Sequence, residues 1–349
     1  MNKQILFYDE LIPLPEEFLS QFVSIKFKAK ELDNHILKSQ SCNILLSRST
    51  LKINSQFLEN VPLKYYATAT AGFDHVDIEY LKSRNIKYFI SSGCNSNSVA
   101  EYVMINIHNY LSKNNINPES QTIGIIGFGN IGKKVAHYSK LLGLQVIIND
   151  PPLSDINFDF PTEFKYQNLD NLLSKSNIIT NHIPLTKDGK YKSQNLLNEN
   201  LELVKNNSLF LHCSRGGIVN EVKLLQIKKE KNLTLITDVW ENEPNINQTL
   251  LDISEISTPH IAGHSINAKI NASNMIMEEM FESGIADKNY KIETNDVEKT
   301  NSLNIINQIE KAKIERKIEE DSKILKSDKN NFTSLRSNYP IRYESLKID

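Results

Sequence analysis

The sequence predicts an α/β chain with two doubly wound, parallel-sheet domains. Three observations carry this reading. Short apolar runs alternate with helical patterns over residues 1–93. The same alternation recurs over residues 121–262. In that second stretch a glycine-rich turn stands between an apolar run and an amphipathic helical pattern, at residues 122–142. Strand and helix signals that alternate in this way place helices on the faces of a mostly parallel sheet. At 349 residues the chain is long enough for two domains and a smaller third region.

Composition narrows the function classes. The chain is 40% hydrophobic and 23% charged, with a net charge of −2. That balance gives no global attraction for nucleic acid or for a membrane surface. No apolar run approaches the roughly 20 residues needed to span a bilayer. The start reads as a first strand, because Asp9 and Glu10 follow closely and no extended apolar segment is present. Cys42, Cys94 and Cys213 are odd in number and widely spaced, so neither a disulfide framework nor a metal site is expected. Small buried thiols in a reducing cytoplasm are the reading.

Taken in order, residues 3–8 predict a strand and residues 15–21 a short helix, with Pro15 suited to its first turn. Residues 43–46 and 65–70 predict further strands, 76–84 a helix and 87–90 a strand. Residues 95–111 form the longest helical pattern of the first half, expected to bridge the two domains. Apolar runs then recur at 123–126, 145–149, 177–180, 208–212, 233–237 and 256–257. Helical patterns lie at 169–175 and 222–229. Residues 151–168, with Pro151 and Pro152, predict an irregular connection without a helix. Residues 266–284 predict an amphipathic helix whose Met275, Met277 and Met280 belong to a core. Residues 301–326 carry a helical pattern of mixed charge, read as a solvated face. The aromatic and arginine-bearing stretch 332–346 predicts an ordered segment that packs on something.

The glycine turn is Gly127-x-Gly129-x-x-Gly132, and Asp150 ends the next apolar run. Strand, turn, helix and acid at this spacing predict a Rossmann-like dinucleotide site. The helix N-terminus at Asn130 and Ile131 offers N–H groups and partial positive charge to phosphates. Asp150 accepts from a ribose hydroxyl and repels a 2′-phosphate, which favours NAD.

Three stretches at predicted strand ends carry the remaining chemistry. They contain Arg215, Glu243 and His260. A guanidinium binds a carboxylate in bidentate fashion, an imidazole takes a proton near neutral pH, and a carboxylate fixes the imidazole tautomer. This set fits hydride transfer from a 2-hydroxy acid, the cofactor taking the hydride.

Over residues 40–285 the chain resembles the D-isomer-specific 2-hydroxyacid dehydrogenases. The resemblance rests on residues 67–77, Gly93-Cys-Asn95, Asp150-Pro-Pro152, residues 182–189 and Asp238-Val-Trp-Glu-x-Glu-Pro244. It implies a Rossmann-like NAD domain (95–263) inserted in a flavodoxin-like substrate domain (1–94 and 264–285). By match Arg215, Glu243 and His260 are catalytic. Asp150, Asp238, Cys213, Ser214 and Gly263 contact NAD, and Ser49 and Thr70 contact substrate. His264 stands where the family commonly has a substrate-contacting tyrosine. The pattern Phe332-x-x-Leu-Arg-x-Asn-Tyr339 is similar to a C-terminal dimerisation segment found in part of the family. It implies a homodimer through residues 286–349. The same similarity implies a phosphorylated substrate, 4-phospho-D-erythronate, oxidised to 2-oxo-3-hydroxy-4-phosphobutanoate in vitamin B6 biosynthesis. Arg48, with Arg336 or Arg342 from a partner's tail, is the expected source of positive charge for the phosphate. Two alternatives share the catalytic pattern: a dehydrogenase for phosphoglycerate, glyoxylate or hydroxypyruvate, and an NAD-sensing corepressor-like binding protein.

Overall fold

The computed structural model describes residues 3–294 and 297–348. It divides into two compact units, Met1–Asn95 with Ser265–Asp296, and Ser96–His264 with Val297–Asp349. The first unit opens with strand β1 (Ile5–Asp9), helix α1 (Glu16–Leu19), strand β2 (Val23–Phe27) and helix α2 (Asn34–Ser39). Strands β3 (Ile44–Ser47) and β4 (Tyr65–Thr68), helix α3 (Ile78–Ser83) and strand β5 (Lys87–Ile90) complete its sheet. The strands are all parallel, in the order β2-β1-β3-β4-β5. The chain reverses its winding direction between β1 and β3, where an open sheet leaves a crevice beyond its carboxyl ends.

In the second unit a long helix α4 (Ser96–Lys113) precedes β6 (Thr122–Ile126), α5 (Asn130–Leu141) and β7 (Gln145–Asn149). There follow α6 (Pro151–Asp155), β8 (Lys165–Tyr166), α7 (Leu169–Lys175) and β9 (Ile178–Asn181). Next come β10 (Leu209–His212), α8 (Glu221–Lys231), β11 (Thr234–Thr237), α9 (Gln248–Ile253) and β12 (Ile256–Ser257). The parallel sheet runs β12-β11-β10-β9-β6-β7-β8, with its switch point between β9 and β6. Helix α4 is buried on all sides over residues 98–107, its polar Ser98, Glu101 and Asn106 included. It belongs to this second unit and packs against α5.

Helix α10 (Ile266–Glu282) returns to the first unit. Its Met277 and Met280 are buried against β1, β3 and β4, the core role expected of the methionine stripe, while Met275 is half-buried. No helix among the described residues is long and apolar enough to cross a membrane.

The structure departs from the sequence-based expectations in four places. β2 and α2 were not expected; β2 is an edge strand whose exposed Val23 and Lys26 blur the pattern. Residues 151–155 form a helix because Asp150 caps it through Leu153 N, and Pro151 fits its first position. The helical pattern at 301–326 is two helices, α11 (Ile305–Arg316) and α12 (Ile318–Ser327), separated by Lys317 at φ +50°. Residues 286–349 form no unit of their own: Val297–Asp349 packs with the second unit, through Ile305, Ile309, Ile318 and Leu346 against the α4–α5 core. The last helix, α13 (Phe332–Ser337), buries Phe332 in the other core layer of that unit.

Candidate active site

The glycine turn lies at the sheet's switch point, directly after β6. Gly127 has φ +92°, and a side chain there would meet the His182 carbonyl. A Cβ on Gly132 would fall on the Gly127 carbonyl oxygen, so only glycine lets α5 start this close to the turn. Gly129 is different: nothing lies within 4 Å of where its Cβ would be. With Asn130 it is exposed at the N-terminus of α5, whereas Ile131 is half-buried. The turn therefore leaves an open cradle lined by helix N–H groups, which fits a pyrophosphate.

Asp150 ends the region after β7. Its Oδ2 accepts from Phe128 N at 2.7 Å and its Oδ1 from Leu153 N at 3.0 Å. These bonds aim the carboxylate alongside the glycine turn. Each oxygen retains acceptor capacity, so the donor set fits a ribose hydroxyl.

Arg215, Glu243 and His260 all belong to the second unit. His260 Nδ1 lies 2.8 Å from Glu243 Oε2 and 3.1 Å from Oε1. A carboxylate accepting from Nδ1–H leaves the lone pair on Nε2, as a proton acceptor requires. Burial pushes the Glu243 carboxyl up, but the His260 hydrogen bond and charge, the Trp240 amide and the Arg336 guanidinium together hold it below the usual carboxylate range. Trp240 N donates to Glu243 Oε1 at 3.0 Å, and Trp240 Nε1 donates to the Thr258 carbonyl at 3.0 Å. One indole thus ties the Glu243 loop to the His260 loop. Arg215 is half-buried, its Nη1 donating to the Ser214 carbonyl at 2.8 Å.

His260 has φ +58°, a left-handed conformation that costs a non-glycine residue about 1 kcal/mol or more. Asp238 holds the loop there. Its Oδ1 accepts from Ile261 N at 2.8 Å and from the Thr258 hydroxyl at 2.6 Å, and its Oδ2 from Ala262 N at 3.0 Å. Only 1% of the Asp238 surface is accessible, and its carboxylate is engaged inside the His260 loop.

Cys213 and Ser214 are also buried. Burial pushes the Cys213 thiol well up, so it is not a nucleophile. The Ser214 hydroxyl donates to Asn181 Oδ1 at the end of β9, and His212 Nδ1 is 3.2 Å from Asn181 Nδ2 and 3.3 Å from its Oδ1. Gly263 and His264 are half-buried at the end of the same loop, and the His264 ring meets Tyr339 edge-on at 5.9 Å.

Of the expected substrate residues, Arg48, Ser49 and Thr70 belong to the first unit and His264 to the second. Arg48 follows β3 and pairs through Nε with Asp9 Oδ1 at 3.0 Å, at that sheet's own switch point. Ser49 is exposed in the turn beside it. The Thr70 hydroxyl donates to the Gly72 carbonyl at 3.0 Å and lies 2.8 Å from Thr68 Oγ1, which is 3.1 Å from His75 Nε2. His75, not singled out from the sequence, belongs to this network, and burial holds its imidazole below its ordinary range against the opposing charge of Asp74. Its position five residues after Thr70 was the available signal.

The tail arginines have partners within their own chain. Arg342 is buried in its own chain, with Nη1 3.4 Å from Glu101 Oε1 and Nη2 2.9 Å from Ser98 Oγ. Arg336 lies beside Glu243 of its own chain, Nη1 to Oε2 at 3.7 Å.

The D-isomer specific 2-hydroxyacid dehydrogenase, NAD binding domain, matches residues 100–262. An erythronate-4-phosphate dehydrogenase of Ruthia magnifica is 36% identical over 87% of this chain and 86% of its own length. One from Bacteroides thetaiotaomicron is 33% identical over 96% of both chains, a span that includes the C-terminal segment. Among solved structures, D-lactate dehydrogenase from Aquifex aeolicus, complexed with NAD and lactic acid, is 22% identical with a TM-score of 0.63, over 80% of this chain and 96% of that one. It shares the fold.

Proposed function

Because the chain belongs to the D-isomer-specific 2-hydroxyacid dehydrogenase family, we propose that it oxidises 4-phospho-D-erythronate to 2-oxo-3-hydroxy-4-phosphobutanoate with NAD, a step in vitamin B6 biosynthesis. The observation that carries the substrate is the match, over 96% of both chains, to a relative named for that substrate. Bound NAD supplies the acceptor for the hydride that leaves C2. His260 Nε2 takes the C2 hydroxyl proton as the C2–O bond becomes a carbonyl, and Glu243 stabilises the imidazolium that results. Arg215 binds the C1 carboxylate and orients C2. Gly127, Gly129, Gly132 and Asp150 hold the dinucleotide.

On this reading Ser49 and Thr70 contact the substrate, and Arg48, which keeps Nη groups beyond its bond to Asp9, takes the phosphate. A KM for the phosphorylated acid that is unchanged in Arg48→Ala would remove Arg48 from that role. The comparison of kcat/KM on 4-phospho-D-erythronate and on D-glycerate 3-phosphate, followed by NADH formation, tests the substrate. A clear preference for the four-carbon acid is expected, and equal or better use of D-glycerate 3-phosphate would overturn the assignment.

The protein is further proposed to act in the cytoplasm as a homodimer. Three buried free cysteines support the first. The apolar side chains exposed on the C-terminal segment, Leu303, Ile306, Ile314, Ile324, Ile341 and Tyr343, support the second. Sedimentation as a monomer at micromolar concentration would count against the dimer.

A further inference from the structure

The C-terminal segment reaches the catalytic pair of its own unit. Arg336 on α13 places Nη1 3.7 Å from Glu243 Oε2, the same oxygen that meets His260 Nδ1 at 2.8 Å. The segment is pinned on both sides of this arginine. Before it, Phe332 is buried in the core. After it, Tyr339 packs edge-on against His264 and donates its hydroxyl to the Arg316 carbonyl at 3.3 Å. Arg342 then stacks over the Tyr339 ring at 5.9 Å and joins Arg316 on Glu101. An arginine held between two anchors has less freedom to leave Glu243 than an ordinary surface side chain.

We propose that Arg336 is a positioning residue for the dehydrogenation: its guanidinium, delivered by the C-terminal segment, keeps the Glu243 carboxylate turned to His260 Nδ1 and sets the pH range in which the pair can accept a proton. The inference rests on the roles of Glu243 and His260 given above. Its physical basis is the sharing of one carboxylate by two cations. A half-buried carboxylate beside an imidazole favours the imidazolium, and a base that already holds a proton cannot take one from substrate. A guanidinium on the same oxygen offsets that bias. Besides His260 and Arg336, the titratable groups that bear on Glu243 are His212, which burial keeps neutral, and the buried carboxyl of Glu221 at the start of α8, which burial raises. Arg336 is therefore the positive charge on Glu243 that the tail supplies.

The test is the pH dependence of kcat/KM for NADH formation from 4-phospho-D-erythronate in the full-length enzyme, with Arg336→Ala and Arg336→Lys beside the wild type. An NMR titration of the His260 imidazole without substrate accompanies it. Removal of the cation is expected to move the acidic limb and the NMR midpoint of the pair upward together, by about half a pH unit at low salt. Arg336→Lys is expected to restore both. An unmoved limb with a several-fold higher KM in Arg336→Ala would overturn the proposal and make Arg336 a substrate ligand. An unmoved limb and midpoint with unchanged KM would overturn it outright. A midpoint that moves in an enzyme with no turnover of this substrate would uphold the pair and sink the proposed substrate.

Discussion

Glu101 and Glu243 each meet arginine from the C-terminal segment, the first fully buried and the second half-buried. Glu101 is inaccessible to solvent, and the Arg316 and Arg342 side chains that face it are 1% and 4% exposed. Its second oxygen accepts from the backbone amides of Ser345 at 2.6 Å and Leu346 at 3.1 Å. Arg316 also donates to the Ala262 carbonyl at 3.1 Å, next to the His260 loop. Glu243 is 20% exposed, and its arginine, Arg336, is 35% exposed at 3.7 Å. In the first cluster both carboxylate oxygens are engaged in a buried setting, while Arg316 Nη1 and Arg342 Nε lack a hydrogen-bond partner among the described residues, so the pairing is obligatory once the charges are buried. The second is looser and wetter, so its contribution to stability is small. What it can change is the proton affinity of a neighbouring imidazole. The same residue types therefore anchor the tail at one place and adjust the reaction at the other.

The comparison breaks most severely at the anchor. Glu101→Ala leaves two guanidinium groups buried without their carboxylate and is expected to cost about 3–5 kcal/mol in urea unfolding. A loss below 1 kcal/mol would show that the cluster does not hold the segment. The opposite behaviour is expected of Glu243→Gln. That variant keeps its shape but loses the negative charge that stabilises the His260 imidazolium, and one of the two oxygens that accept from Trp240 N and His260 Nδ1, so kcat falls on the order of 10²-fold or more. Its unfolding midpoint and its Kd for NAD stay close to wild type.

His182 sharpens the contrast, because it is buried by the glycine turn and burial alone pushes its imidazole from 6.5 to about 3. Its Nε2 lies 3.0 Å from Thr180 Oγ1. The unfolded chain takes up this proton below pH 6.5 while the folded one does not, so the stability present above 6.5 declines as pH falls. Unfolding free energy is expected to drop by about 1.4 kcal/mol per pH unit from this residue below that point. His182→Gln should flatten that slope when unfolding is measured at pH 7, 6 and 5 (about one unit apart). The smallest expected effect is on stability in Arg336→Ala, less than about 1 kcal/mol by denaturant titration, in a variant whose pH profile moves.

Much of the site was legible in the sequence. The glycine turn and Asp150, and Glu243 with His260, meet in the structure and are marked by local patterns at strand ends, where parallel sheets gather such residues; Arg215 is marked in the same way. Asp238 was legible as important but not as an anchor, because its partners are the backbone amides of Ile261 and Ala262, which have no sequence signature. Residues 151–155 misled because two prolines read as a breaker, whereas an acid followed by proline also starts a helix. The break at Lys317 carries no glycine to announce it. Arg336 was noticed, but its partner could not be deduced, since the contact to Glu243 joins distant parts of the chain through a docking that no local pattern encodes.

The measurement that tests the central claim most directly is NADH formation from 4-phospho-D-erythronate by wild type and His260→Ala, with NAD affinity measured on both. Turnover by the wild type, with a loss of about 10²–10⁴-fold in kcat and an unchanged Kd for NAD in the variant, is the expected result. Near-wild-type turnover in His260→Ala, or no turnover of this acid by the wild type, would contradict it.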